Sequence, residues 1–116
     1  MSKAGKIWGE TEEIFNNGAA SIHYLKIKKG GFCSEHYHQK KFNKFFIAKG
    51  NLLIKVWKGD GFIDETVLWE GESTVVDPGV YHQFIAQTDV ECIEIYYLPP
   101  LSEDIFRRTT GGMKGK

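Results

Sequence analysis

Hydrophobic and polar residues alternate with period two over much of the chain. In residues 21–29, His23, Leu25 and Ile27 share one phase while Tyr24, Lys26 and Lys28 take the other, and the run stops at Gly30-Gly31. A strand projects successive side chains to opposite faces, so this alternation predicts a half-buried strand. The same reading predicts strands at 33–38, 43–49, 52–58, 65–70, 73–77, 82–86 and 90–98, the last four bounded by Gly, Pro, Asn or Asp. Residues 5–18 carry Ile7, Trp8, Ile14 and Phe15 among polar neighbours, which predicts an irregular arm followed by a short strand. A single helical turn is expected at 102–106, after which glycine and lysine take over. Eight to ten short strands with glycine-rich turns make an all-β antiparallel sandwich or barrel, with a double-stranded jelly roll as the expected form.

Two of the predicted strands carry chemistry. His36 and His38 stand two residues apart, so a regular strand aims both imidazoles at one face as a chelating pair. Asp77-Pro78-Gly79-Val80-Tyr81-His82 supplies a third imidazole just after a tight turn. Cys33 has the opposite phase to His36, which points it away from such a site as a small packed side chain. Glu35 is likewise out of phase, and no carboxylate base is securely placed in the cavity. His23 is in phase with Leu25 and Ile27, and an edge or interface position is the simpler reading for it.

Composition narrows the class. The 116 residues and 13.2 kDa correspond to one domain, with a core at about 20–100, an N-terminal arm at 1–19 and a C-terminal tail at 101–116. Fifteen basic residues balance fifteen acidic ones, so no global field draws in nucleic acid or an anionic membrane. Cys33 and Cys92 in a chain opening on MSKAGKIWG, which has no apolar signal region, suit free thiols in a cytoplasmic protein.

These motifs carry a resemblance. The first cupin motif has a glycine, five residues, His-x-His, three or four residues, a glutamate, six residues and a glycine; here Gly30, His36, His38, Asn43 and Gly50 keep every spacing. The second is represented by Gly71, Pro78-Gly79 and His82, with Asp77 in place of a proline and Ala86 in place of an asparagine. The chain thus resembles a small single-domain cupin. Its segments KIWGETEEIF, IKKGG, VDPGVYHQF, CIEIYY and EDIFRR are similar to the cupin domain of type II mannose-6-phosphate isomerases.

The resemblance implies a divalent metal such as zinc, iron, manganese or nickel on His36, His38 and His82. Asn43, where the pattern has its glutamate, either ligates through its amide oxygen or holds a water. Phe45, Ile47 and Phe84 are expected to line the pocket. A neutral amide in place of a carboxylate lowers metal affinity and leaves positive charge that favours an anionic ligand. The functions implied are a metal-dependent isomerase or epimerase of a sugar phosphate or nucleotide sugar, with Tyr81 or His23 moving the proton. The alternatives are a three-histidine iron dioxygenase and a non-catalytic cupin that binds a small ligand. Lys40, Lys41 and Lys44 flank the histidines and are ordinary solvated residues or phosphate contacts. Leu53 and Trp57 are expected on the outside of strand 52–58, giving a two-fold homodimer by sheet packing and arm exchange.

Overall fold

The computed structural model describes residues 3–99 and 106–115. Among them are nine strands and no helix: β1 (Lys3–Lys6), β2 (Gly9–Asn16), β3 (Ala20–Ile27), β4 (Phe42–Lys49), β5 (Leu52–Trp57), β6 (Ile63–Leu68), β7 (Ser73–Val76), β8 (His82–Ala86) and β9 (Val90–Tyr97). Neighbouring strands pair antiparallel in two sheets, ordered β1-β2-β3-β9-β4-β7 and β6-β5-β8. The helical turn expected at 102–106 falls outside the described residues except for Phe106, which is exposed.

Period-two alternation explains the packing. Leu25 and Ile27 of β3, Phe45 and Ile47 of β4, and Val90 and Cys92 of β9 project from the larger sheet onto Leu52, Ile54, Phe84 and Ala86 of the smaller one. All are nearly solvent-free, and each large apolar side chain so buried contributes about 1.5–3 kcal/mol. At one end the core residues give way to polar ones in the same phases: His23 and Ser21 on β3, Glu94 and Tyr96 on β9, Asn43 on β4 and His82 on β8. The candidate functional site lies there.

Two expectations need correction. The N-terminal arm is a regular hairpin: β1 pairs with β2, which pairs along β3 of its own chain. The hairpin turn is anchored because Lys28 N donates to Trp8 O at 2.8 Å and the Trp8 ring meets Phe84 edge-on at 5.1 Å. Gly31 permits this approach, since a Cβ there would fall 2.8 Å from Trp8 Cβ. Trp8 therefore needs no second chain to cover it.

The second correction concerns 33–38, which is not a regular strand. It runs beside β8 through two isolated bridges, Phe32 with Ile85 and His36 with His82. Cys33 N donates to Phe84 O at 3.3 Å and His36 N to His82 O at 3.1 Å. Hence the segment advances three residues, from Cys33 to His36, while β8 advances two. A one-residue slip of this kind exchanges the faces of everything beyond it.

Candidate metal centre

His36, His38 and His82 come together. Each offers a ring nitrogen, and the three nitrogens lie within 4.8 Å of one another. The rings are 4.4–5.4 Å apart between centroids, inclined rather than stacked. Backbone contacts fix their orientation: His36 Nδ1 lies 2.7 Å from Ser34 O and His82 Nδ1 3.0 Å from Val80 O. Donation from Nδ1 leaves Nε2 as the ligating atom, the usual outer support of a metal-bound imidazole.

Two further observations test whether a cation fits. His38 Nε2 is buried without a hydrogen-bond partner. His82 faces two acceptors, Val80 O at 3.0 Å and Asn43 Oδ1 at 2.9 Å, and a neutral imidazole has one N–H to give. A cation on these nitrogens satisfies both, so the donor set fits a divalent metal. The electrostatics agree with neutral ligands: burial, and then the neighbouring His36 and His82, push His38 down to about 4. Burial also lowers His82, against the opposing pull of Val80 O.

Beside the histidines is a cavity of about 300 Å³ lined by His36, His23, Cys33, Glu94 and Tyr96, with Lys6, Trp8 and Thr11 contributed by the N-terminal hairpin. His23 thus faces the interior rather than an edge, its Nε2 3.1 Å from Ser21 Oγ and its ring edge-on to Tyr96 at 5.5 Å. Burial lowers its pKa, outweighing the raising effect of Glu13, and Lys41 lowers it further. Lys41 also depresses His38, which puts its positive charge near the site.

Several expected residues behave differently. Tyr81 is half exposed, edge-on to Tyr37 at 4.9 Å, and is not among the residues lining that cavity. Phe84 lines it and Phe45 reaches His82 with ring centroids 6.3 Å apart, whereas Ile47 is core. Cys33 lines the same cavity as His36, because the slip beside β8 cancels the phase difference. Burial pushes its thiol up to about 11, far from a reactive thiolate. Cys92 is fully buried, as expected of a packed side chain.

Glu94 is a buried acid at the site that neither histidine motif singles out. It is 7% exposed, and Asn43 Nδ2 donates to its Oε2 at 3.3 Å while Tyr96 donates from its hydroxyl. Burial raises its carboxyl to about 7, the bonds from Tyr96 and Asn43 opposing the rise. The signal was its phase: Val90, Cys92 and Glu94 alternate with Ile93 and Ile95, which puts the acid inward.

Two antiparallel sheets enclosing clustered histidines at one end define a small β-sandwich with a candidate metal site. The chain belongs to the cupin family, whose Cupin domain model matches residues 23–96. No curated protein matches it. Among solved structures it is similar to KdgF from Halomonas sp., with 14% identity, a TM-score of 0.71, and 82% of this chain and 83% of that one covered. It is also similar to a variant of oxalate decarboxylase from Bacillus subtilis, with 16% identity and a TM-score of 0.75 over 84% of this chain but only 27% of that one. The Cnp3 cupin domain of Schizosaccharomyces pombe matches at 10% identity and a TM-score of 0.70, covering 81% and 67%. At these identities the likeness is one of fold alone.

Proposed function

We propose that this cupin is a metal-dependent enzyme that isomerises or epimerises a small sugar phosphate or nucleotide sugar within a jelly-roll scaffold. The carrying observation is that the cavity beside the three histidines also contains His23. A divalent ion held by His36, His38 and His82 would polarise a ligand carbonyl as a Lewis acid. His23 accepts the proton from the neighbouring carbon and returns it to complete the isomerisation, since burial favours its neutral form and Ser21 steadies its ring. Lys6 lines the cavity and Lys41 lies near it, so the surroundings favour an anionic substituent. The similarity of KIWGETEEIF and VDPGVYHQF to type II mannose-6-phosphate isomerases supplies the sugar-phosphate class.

The test is solvent exchange. Metal-loaded protein is incubated with a panel of sugar phosphates and nucleotide sugars in deuterium oxide, and deuterium next to the carbonyl is read by NMR. Exchange that His23→Ala abolishes supports the reading; neither exchange nor turnover with any member sinks it. One observation favours a second reading: the motif carboxylate is replaced by Asn43, which leaves three imidazoles as the ionisable ligands of an iron dioxygenase. Oxygen uptake by the iron(II)-loaded protein with a candidate substrate would favour that alternative.

We also propose that the protein is a cytoplasmic homodimer built on the outer face of β5. Leu53 pairs with Val67 and Ile85, and Trp57 with Ile63, giving that face an apolar cluster continued by exposed Phe32 and Trp69.

A further inference from the structure

The polar residues buried in this fold are few. Among the described residues they are Ser21, Asn43, His82 and Glu94, and the last three form one chain of close polar contacts. His82 Nε2 lies 2.9 Å from Asn43 Oδ1, and Asn43 Nδ2 lies 3.3 Å from Glu94 Oε2. Glu94 is the single acid in that buried set. Burying a carboxylate is costly unless a charge or a set of donors compensates it. Here two neutral donors, the Asn43 amide and the Tyr96 hydroxyl, meet it.

The metal centre has the complementary deficit. Three neutral imidazoles bring no negative charge to a divalent cation, and Asn43 stands where the cupin motif has its glutamate. Position 43 is on β4 and position 94 on the adjacent β9, where Phe45 is the residue directly opposite Glu94. The carboxylate absent from position 43 is thus found one strand away, on the far side of the same amide.

Resting on the metal reading above, we infer that Glu94 is the displaced counter-charge of the centre, a positioning residue that acts on the metal through Asn43. The Asn43 amide transmits the interaction because its two ends are differently engaged. Its N–H side is held by the Glu94 carboxylate, so its oxygen is aimed at His82 Nε2 and carries increased negative character. A neutral residue at 94 would hold the amide less strongly and leave the cation without an anion in the protein interior. The same arrangement keeps the carboxylate on the amide rather than among the converging histidine nitrogens.

Co²⁺ titration of the full chain tests this, with affinity read by calorimetry and coordination by visible absorption. Glu94→Gln keeps the shape and removes the charge, and the expected loss is about 10- to 100-fold in affinity, the range for outer-shell partners of metal ligands. The double variant Asn43→Glu/Glu94→Gln moves the carboxylate back to the motif position. It should recover most of the affinity and alter the Co²⁺ spectrum as a carboxylate oxygen enters the coordination sphere. A merely structural role for Glu94 would lower the stability of the metal-free Glu94→Gln protein and leave its Co²⁺ affinity unchanged. Unchanged affinity in Glu94→Gln, or a double variant as weak as the single one, would overturn the inference while leaving the three-histidine site standing. Failure of the unsubstituted chain to bind Co²⁺ would overturn both.

Discussion

Glu94→Gln should change how the metal-free protein responds to pH, and the size of the effect follows from burial. The folded carboxyl titrates at about 7 against an ordinary value of 4.5. That difference, at 1.36 kcal/mol per pKa unit, corresponds to about 3 kcal/mol between the two ends of the titration. Because the folded state holds the proton more tightly than the unfolded chain, the contribution is complete below 4.5 and is lost as pH rises through about 7. Glutamine does not titrate and mimics the protonated acid. The difference in unfolding free energy, variant minus wild type, should therefore rise by about 3 kcal/mol between about pH 4 and pH 8. His38 and His82 drive stability the other way in an overlapping range, since their lowered pKa values favour the folded state as pH rises, but both proteins carry them and they cancel. Urea unfolding in the presence of a chelator, followed by far-ultraviolet circular dichroism across that range, measures the difference. A flat difference, or one that falls with pH, would refute the burial argument.

Other consequences can be checked separately. Cys33, pushed from 9.0 to about 11, should carry roughly a hundredfold less thiolate at pH 8 than an ordinary cysteine and be alkylated correspondingly slowly. Iodoacetamide labelling within about threefold of the unfolded chain's rate would contradict this. Gly50 and Gly71 have nearly the same φ, 85° and 83°, but a Cβ at Gly50 falls 2.2 Å from Asp89 O whereas at Gly71 it meets nothing within 4 Å. Gly71→Ala should cost about 1 kcal/mol from strain alone and Gly50→Ala about 3 kcal/mol or more, and equal losses on urea titration would remove the close approach as a cause. Light scattering should give twice the 13.2 kDa chain mass, reduced to one chain by Trp57→Lys; a wild-type protein of one chain mass would end the dimer proposal.

Much of the fold was legible because strand alternation is local. The predicted strand at 82–86 coincides with β8, and those at 52–58 and 90–98 differ from β5 and β9 by one residue at an end. The histidine set was legible for a different reason, since His-x-His and the Pro-Gly turn before His82 are short and fixed in spacing. The exceptions are non-local. No pattern within residues 33–38 reveals the slip against β8, and that slip puts Cys33 and His36 on one cavity. The hairpin of β1 and β2 is stabilised by pairing with β3 and by Trp8 on Phe84, partners well beyond the arm itself. Glu94 sat in plain phase with Cys92, but its meaning depends on Asn43, fifty-one positions away in sequence.

The two halves of the centre belong to different sheets. His82 is on β8, with His36 and His38 on the segment beside it, whereas Asn43 and Glu94 are on β4 and β9 of the larger sheet. The Asn43 oxygen facing His82 Nε2 is therefore a contact across the sandwich, at the end where the apolar core has given way to polar groups. If the cation is held by one sheet and its counter-charge by the other, their attraction acts in the direction that keeps the sheets closed. Metal binding and sheet packing then share one free energy, because the unfolded chain offers neither the converged nitrogens nor the buried acid. That coupling would give the polar end a source of cohesion that does not depend on apolar contact, while His36 remains on the cavity lined by His23 and Tyr96.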